Sequence, residues 1–311
     1  MTLRQQDLAK SDSYKENIMN YNSVIIGHIS MDENIDHLDN SAFVPGGAVL
    51  YSSAAAYALG HDVLAITKLA EKDMNRLDSF TIPSSNVICL PSADSYNMYN
   101  KYLTPDKERR ICRCNSHGDG FTPQDIPEDV TSDIWHLAGL TYGDFGNDLI
   151  VSLSKRGKVA VDVQGFLRHR AEDKSMYFTD WADKLEMLPY IHYLKTDAAE
   201  AEILTGTTDR KKAAEQLYDW GAKEIVITHN TEVLAFDGKD MFTCPIKSRN
   251  LSGRTGRGDT TFAAFLNERP YCDLQTALLH ATATVSLKME TPGVLKANRQ
   301  DIMNYIDEFY K

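Results

Sequence analysis

Short apolar runs alternate with helix-forming stretches along most of the chain. The runs are rich in β-branched residues and end at Gly, Asp or other polar residues, as buried strands do; the stretches between them are rich in Ala, Leu, Glu and Lys. The runs are SVIIGHI, DVLAIT, SDIWHLAG, KVAVDVQG, IHYLKTD and EIVITHN, and the helical stretches include AVLYSSAAAYALG, AAEAEILTG and RKKAAEQLYDWGA. Alternating strands and helices predict an α/β fold of three layers, with a mostly parallel central sheet between helices.

Two segments break this alternation. Residues 29–44 and 96–114 alternate polar and apolar positions, and the second contains the turn signal TPDKER. We predict that they form antiparallel strands of a small sheet. Because they lie among the strand and helix units, they are expected to project from the main body as a lid. Residues 1–20 are polar and are predicted to be a flexible extension, so residues 21–311 form the folded body.

Length, charge and cysteine content narrow the class of protein. A chain of 311 residues can bury a large core without disulfides. Its net charge of −11, without a basic cluster, argues against a nucleic-acid partner, and no apolar run reaches the ~18 residues of a membrane span. Five cysteines and no secretory signal fit the cytoplasm. Cys112 and Cys114 lack a second ligand pair, so no metal held by dedicated protein ligands is expected.

Residues 253–266, GRTGRGDTTFAAFL, place a glycine-rich turn before a predicted helix. Backbone N–H groups at such a helix start, together with the helix dipole, favour an anion. A carboxylate beside an anion is costly unless it accepts a proton from a group attacking that anion, so Asp259 indicates phosphoryl transfer. The alternative is that Asp259 only stabilises the helix start. Arg254 and Arg257 suit phosphate oxygens, with solvent exposure as the alternative for Arg254.

Other acids follow predicted strands. Asp32 ends an apolar strand region, where its burial is favourable only with hydrogen-bond donors such as vicinal sugar hydroxyls. Asp162, Gln164 and Arg168 follow the carboxyl end of another strand, where open α/β sheets bind ligands. Capping of the next turn is the alternative for Asp162. The chain has neither a Walker motif nor a GxGxxG after its first strand, which disfavours P-loop and Rossmann enzymes.

These motifs, in this order, resemble the PfkB family of carbohydrate kinases, which have the ribokinase-like fold. The resemblance extends from about residue 23 to about residue 295 and is carried by GHISMD, by PGG before a helix and by GRTGRGDTTF, which is similar to the family's DTTGAGDTF. It implies an anion hole, a catalytic base and an acceptor site. The anion hole is formed by Gly256, Arg257 and Gly258, the base is Asp259, and the acceptor is held by Asp32, Gly46 and Gly47.

The resemblance also implies how the donor is bound. The segment LKTDAAEAEILTG aligns with the family's NxxE, so that Asp197 and Glu200 organise Mg²⁺ and the phosphates of ATP, with Asp in place of Asn. Thr228 and the following loop HNTEV would meet the nucleotide. The family's leading Asp is Gly253 here, and the following Thr is Arg254, which leaves the use of a monovalent cation such as K⁺ open.

The segment VAVDVQGFLR looks similar to the DxQGxxR of sugar and polyol kinases, particularly the inositol-kinase branch, and Asn97 of the lid would face a polyhydroxylated substrate. The function implied is transfer of the γ-phosphoryl of ATP to a hydroxyl of a sugar or polyol, with myo-inositol as a candidate. Two alternatives remain: a nucleoside kinase in which Tyr51, Phe43 and Tyr99 stack on the base, and a catalytically silent binding protein. Exposed lid strands would permit a homodimer.

Overall fold

A nine-stranded sheet forms the centre of the molecule. The computed structural model describes residues 19–104 and 109–311. Its strands are β1 (Met19–Ile26), β2 (Ser30–Ile35), β3 (Ser41–Gly46), β4 (Val63–Leu69), β5 (Val87–Pro91), β6 (Tyr96–Tyr102), β7 (Arg110–Ser116), β8 (Val130–Leu137), β9 (Lys158–Asp162), β10 (Arg168–Arg170), β11 (Met176–Phe178), β12 (Ile191–Asp197), β13 (Glu224–Thr228), β14 (Glu232–Phe236) and β15 (Met241–Pro245). Its α-helices are α1 (Ala48–Ala58), α2 (Asn147–Ser154), α3 (Gln164–Leu167), α4 (Lys184–Met187), α5 (Ala198–Thr205), α6 (Arg210–Asp219), α7 (Arg257–Glu268), α8 (Leu274–Lys288) and α9 (Arg299–Phe309).

The central sheet has the order β15-β14-β13-β12-β9-β8-β1-β4-β5. Neighbours from β13 to β5 pair in parallel, and β14 and β15 add an antiparallel hairpin at one edge. Every residue of β4 is buried, as expected for a parallel strand covered on both faces. The predicted mostly parallel sheet is confirmed.

Helices cover both faces of this sheet because successive strand residues point to opposite sides. Trp135 and Leu137 of β8 pack in the cluster that contains residues of α2, α5 and α6. Ile134, the residue before Trp135, points to the opposite face and packs in the cluster that contains residues of α7, α8 and α9. The molecule therefore has the predicted three layers.

A four-stranded sheet of order β3-β2-β6-β7 forms the predicted lid. The hairpins β2–β3 and β6–β7 are antiparallel, but β2 and β6 pair in parallel, which corrects the all-antiparallel prediction. The reason is that β2 follows β1 and β6 follows β5. Both leave the same edge of a parallel sheet and so run in the same direction. Residues 105–108 of the predicted turn lie outside the described residues.

The first described strand begins earlier than predicted. Met19 pairs with Val130 of β8, so β1 starts within the segment assigned to the extension. Residues 1–18 lie outside the described residues, and their predicted flexibility stays a prediction. Across the two described ranges, none of the helices combines the length and the apolar character that spanning a membrane requires.

The carboxyl ends of β1, β9, β12 and β13 meet at one edge of the sheet, since these strands are parallel. The lid strands β2 and β6 extend from the ends of β1 and β5 at this same edge. Open α/β sheets bind ligands at such an edge. The fold thereby brings the predicted site residues, which are scattered in sequence, to one region.

Candidate active site

The residues of the predicted anion site lie at the N-terminus of α7. Gly256 is its N-cap, with φ of 77° in the left-handed region, and an added Cβ would lie 2.1 Å from Cδ1 of Tyr51. Both the backbone conformation and the contact therefore require glycine. In the first turn of a helix the N–H groups have no acceptor within the helix, so those of Gly258 and Asp259 can bind an anion.

Asp259 lies in the first turn of α7, and its side chain is only partly exposed. Burial first, and then the charge of Asp162, raise the pKa of its carboxyl to about 6, while Lys195, Lys288 and Arg168 act in the opposite direction. A carboxyl with a pKa near neutrality suits a general base, because it is ionised at physiological pH and still basic enough to accept a proton.

A buried lysine joins β9, β12 and α5. Lys195 is 5% exposed, and its Nζ lies 2.9 and 3.1 Å from the two carboxylate oxygens of Asp162 and 3.9 Å from Oε2 of Glu200. It also contacts the start of α7, since an added Cβ on Gly258 would lie 3.2 Å from Nζ. Lys195 was not among the site residues predicted from the sequence. Its signal was a charged residue within the apolar run IHYLKTD, where burial is costly without a partner. The same argument identified Asp32.

Asp162 also performs the capping role that was its alternative. Its Oδ1 accepts a hydrogen bond from the N–H of Gln164 at 3.1 Å. The side chain of Gln164 donates to the carbonyl of Gly139 at 3.4 Å. Arg168 is buried, and its Nη2 lies 2.9 Å from Sγ of Cys112 in the lid. Of these three predicted acceptor ligands, Arg168 is the one that connects the main body to the lid.

Asp197 and Glu200 form a capping box at the start of α5. Asp197 accepts from the N–H of Glu200 at 2.8 Å, and Glu200 accepts from the N–H of Asp197 at 2.7 Å. Burial raises the pKa of Glu200. Thr228, at the end of β13, donates to the carbonyl of Thr196 at 3.4 Å. The predicted donor-binding residues thus lie at the carboxyl edge of the sheet, with side chains engaged in local hydrogen bonds.

These residues fit a magnesium ion that arrives with its donor. Within residues 19–104 and 109–311, no three His, Cys, Asp or Glu side chains are grouped so that they could hold a metal ion. Mg²⁺ commonly keeps water ligands and is bound through one or two carboxylates together with substrate phosphates. Asp197 and Glu200 supply such carboxylates at the edge of the sheet where the anion site lies.

Asp32 faces the same region from the lid. Ser30 donates to its Oδ1 at 2.6 Å, and an added Cβ on Gly46 of the neighbouring strand would lie 2.7 Å from its Oδ2. Burial raises the pKa of Asp32, and the charge of Arg168 opposes this. Gly47, which precedes α1, has φ of 106°. The lid hairpin therefore places Asp32 beside Gly46, and the role of Asp32, Gly46 and Gly47 in holding the acceptor stays a prediction.

Electrostatic interactions connect Asp32 with Asp259. Arg168 acts on both carboxyls, and the pKa of Tyr51 is raised by burial first and then by the charges of Asp32 and Asp259. Tyr51 lies on α1 directly against Gly256. Asp32, Tyr51, Arg168 and Asp259 therefore lie in one region between the lid and the start of α7.

Asn97 does not lie on the acceptor side, which corrects its predicted placement. Its amide accepts from Arg76 at 3.0 Å and donates to Oγ of Ser116 at 2.7 Å. Asp32 pairs with Met98, so the alternation of strand residues puts Asn97 on the opposite face of the lid. Polar residues on the face of Asp32 include Asn34 and Asn100, whose amides bond to each other at 3.2 Å.

A layered α/β body, a lid over the carboxyl edge of its sheet and an acid at an anion-binding helix start define the class of ribokinase-like small-molecule kinases. Comparison with known proteins identifies the family. The model of the pfkB family carbohydrate kinases matches residues 15–300. The chain therefore belongs to this family and is a kinase of the sugar and nucleoside class.

Three known proteins illustrate the likeness. A pyrophosphate-dependent kinase in the ribokinase family, solved with a pyrophosphate analog and myo-inositol, is 31% identical, with a TM-score of 0.81, over 91% of this chain and 99% of that chain. A cytidine kinase of Thermococcus kodakarensis is 25% identical over 251 residues, which are 78% of this chain and 86% of that protein. Ribokinase of Arabidopsis thaliana, solved with ribose and ATP, has a TM-score of 0.73 at 15% identity over 93% of this chain and 99% of that chain, which shows the fold alone.

Proposed function

We propose that this kinase transfers a phosphoryl group to a hydroxyl of a polyol or sugar, with a cyclic polyol such as myo-inositol as the first candidate acceptor. The observation that carries the proposal is that Asp32 and Asp259 lie in one region between the lid and the start of α7, where the charge of Arg168 lowers the pKa of both carboxyls. One acid can orient hydroxyls while the other accepts a proton. The myo-inositol complex of the 31% identical relative supports this acceptor.

The reaction follows from these positions. The acceptor is held by Asp32 and the Gly46–Gly47 backbone, and Asp259 takes the proton of the attacking hydroxyl. The oxygen forms a bond to phosphorus as the bond to the leaving phosphate breaks. Amides at the start of α7 stabilise the charge on the transferred group, each contributing about 3 kcal/mol by analogy with oxyanion donors. The lid excludes water, which would otherwise accept the phosphoryl group.

The donor supplies the phosphoryl group and its metal. ATP with Mg²⁺ is the donor predicted from the sequence, and Mg²⁺ would neutralise charge between the phosphates near Asp197 and Glu200. Pyrophosphate is a second candidate donor, because the 31% identical relative is pyrophosphate-dependent. Both donors present a phosphoanhydride to the same amides, so the roles of Asp32 and Asp259 do not depend on which of them is used.

A nucleoside acceptor is favoured less by the geometry, although the cytidine kinase supports it. Glu33 pairs with both Phe43 and Tyr99, so these two rings lie on the lid face opposite Asp32. Tyr51 packs against Gly256 instead. The three rings proposed to stack on a base therefore do not meet at the acceptor side.

A matrix of donors and acceptors tests the proposal. The purified chain is assayed with Mg²⁺ and either ATP or pyrophosphate, against myo-inositol, ribose, fructose and cytidine, and products are identified by phosphorus NMR. We expect a kcat/KM for the cyclic polyol at least about tenfold above that for cytidine. A preference for cytidine would identify a nucleoside kinase. No turnover with any pair, alongside donor binding measured by calorimetry, would support the silent binding protein.

A further inference from the structure

Lys288, the last residue of α8, directs its buried side chain into the loop that precedes α7. Its side chain has 0% exposure, and its Nζ donates to the carbonyl of Gly253 at 2.5 Å and to the carbonyl of Thr255. Hydrogen bonds from a charged donor are stronger than those between neutral groups. The loop that leads to the anion site is therefore tied to a buried ammonium group.

The loop is shaped to fit this lysine. The N–H of Gly253 donates to the carbonyl of Met289 at 2.8 Å, and an added Cβ on Gly253 would lie 1.8 Å from the carbonyl oxygen of Thr291. Position 253 thus has no room for a side chain. The PfkB motif begins with an acid at this position, whereas here a glycine packs on the end of the helix that supplies a cation.

The bonds to Lys288 set the orientation of the peptide groups. A trans peptide is planar, so its C=O and N–H point in opposite directions. Because the carbonyls of Gly253 and Thr255 point to Lys288, the N–H groups of Arg254 and Gly256 point away from it. Gly256 is the first residue of the predicted anion hole. Lys288 therefore sets the direction of the N–H of Gly256.

Lys288 stays mostly charged at neutral pH although it is buried. Its Nζ lies 5.0 Å from the ring centroid of Tyr51, a cation–π contact. Burial lowers the pKa of Lys288 to about 8, while the charge of Asp259 opposes the shift. The two titratable groups that face it are thus Tyr51 of α1 and Asp259 of α7.

We propose that Lys288 is a positioning residue that acts as a tethered cation. Its ammonium group holds residues 253–256 in the conformation that receives the transferred phosphoryl group, so the enzyme works without a free monovalent cation. The kinetic tests of this proposal rest on the proposed function. Anion binding provides a test that does not depend on turnover.

Three variants separate this role from general stabilisation. Lys288→Met keeps the length and removes the charge, Lys288→Ala also opens space for a cation, and Lys247→Met is the matched control. Lys247 likewise donates to a carbonyl, that of Phe309 at 2.5 Å, and lies 4.9 Å from a tyrosine ring, but it does not contact the loop. Thermal unfolding of each variant measures its stability separately.

We expect Lys288→Met to lose about ten- to a hundredfold in kcat, with the KM of the acceptor changed less than about threefold, and Lys247→Met to match the wild type. Wild-type turnover should be the same in sodium, potassium and tetramethylammonium salts. Ammonium or potassium should partly restore the turnover of Lys288→Ala, and the effect should saturate. The wild-type rate should fall above pH about 8, and this fall should be absent from Lys288→Arg.

Two results would overturn the inference: wild-type turnover that rises severalfold with potassium, or a Lys288→Met enzyme with normal turnover. Pyrophosphate binding, measured by calorimetry without acceptor, distinguishes its failure from that of the proposed function. If the wild type phosphorylates nothing, an about tenfold loss of pyrophosphate affinity in Lys288→Met still supports the tethered cation, and equal affinity rejects it. If Lys288→Met does not fold, the salt and pH dependence of the wild type decide.

Discussion

Asp259 is the residue on which the proposed chemistry depends, and replacement of one oxygen by nitrogen tests it. Asp259→Asn keeps the shape of the side chain at the start of α7 but cannot accept the proton of the attacking hydroxyl. We expect at least about a hundredfold loss of kcat, with a melting temperature close to that of the wild type. Steady-state kinetics and thermal unfolding measure the two effects.

Asp273→Asn is the matched control. Asp273 is also an acid at a helix start, where it accepts from the N–H of Thr276 at 2.7 Å. Asparagine caps helices about as well as aspartate, so this variant is expected to keep both stability and turnover. Near-normal turnover of Asp259→Asn would remove Asp259 from the role of base.

The raised pKa of Asp259 predicts an acid limb in the pH profile. The carboxylate is the active form, and its pKa is about 6, so kcat/KM should fall about tenfold per pH unit below pH 6. The charge of Asp162 raises this pKa, so Asp162→Asn should move the limb to lower pH. Rates measured from pH 5 to pH 8 with saturating donor test both statements. A limb that stays in place would show that another group titrates.

At the scale of elements, β12 supplies the charge that stabilises the edge of the sheet. Lys195 of this strand pairs with Asp162 of β9 and lies near Glu200 of α5. Lys195→Met would leave two buried carboxyl groups without their cation. Such a change typically costs about 3 to 5 kcal/mol in the free energy of unfolding, which urea denaturation would measure.

A surface pair provides the comparison for Lys195. Lys311 lies 2.6 Å from Asp307, with side chains 71% and 62% exposed, so Lys311→Met should change stability by less than about 1 kcal/mol. The double variant Lys195→Met with Asp162→Asn should recover part of the loss, because it removes one of the unpaired acids. Equal costs for the two single lysine variants would contradict the importance assigned to the buried pair.

The lid shows which features of an element are encoded locally. Alternating polar and apolar residues predicted its strands, but pairing between segments depends on the whole fold. Asn34 and Asn100, which bond across β2 and β6, are 66 residues apart. Without that register, the sequence does not show which residues of β6 share a face with Asp32. The prediction therefore placed Asn97 on the acceptor side, whereas Asn100 lies on the face of Asp32. Pairing of two copies through the lid stays a prediction, which sedimentation would measure.

At the scale of the molecule, Glu268 at the end of α7 joins distant segments. Its carboxylate is contacted by His61 at 2.7 Å, by His280 at 2.5 Å and by Arg299 at 2.7 Å. Burial alone would raise the pKa of Glu268, but the hydrogen bonds from these three partners outweigh burial and lower it well below its usual range. The ionised carboxylate therefore stabilises the folded state.

The stability that Glu268 contributes is present above its ordinary pKa of about 4.3 and is lost as the pH falls toward its lower folded pKa. Glu268→Gln should therefore be less stable than the wild type at pH 7, by about 2 kcal/mol or more, and the difference should shrink below pH 4. Urea denaturation of both proteins at pH 7, 4 and 3 gives this difference. A difference that does not change with pH would show that Glu268 acts through packing alone.

Most of the fold followed from periodicity, because buried parallel strands and amphipathic helices leave strong local patterns. The acid, the glycines and the acceptor aspartate of the candidate site were also evident from motifs. Lys288 was not, because it ends a helix rich in small residues and nothing nearby in sequence marks it. Its partners, Gly253 and Thr255, are brought to it only by packing of the loop on α8.

The place of β1 in the sheet has a consequence for biosynthesis. β1 is the first described strand, yet it lies between β8 and β4, and its Ser23 bonds to Asn267, which is 244 residues later in the chain. A nascent polypeptide leaving the ribosome would therefore carry an apolar segment whose partners have not been translated. Such long-range topology slows folding and lengthens exposure to aggregation. Chaperones that shield β1 during translation would be expected to raise the yield of active enzyme.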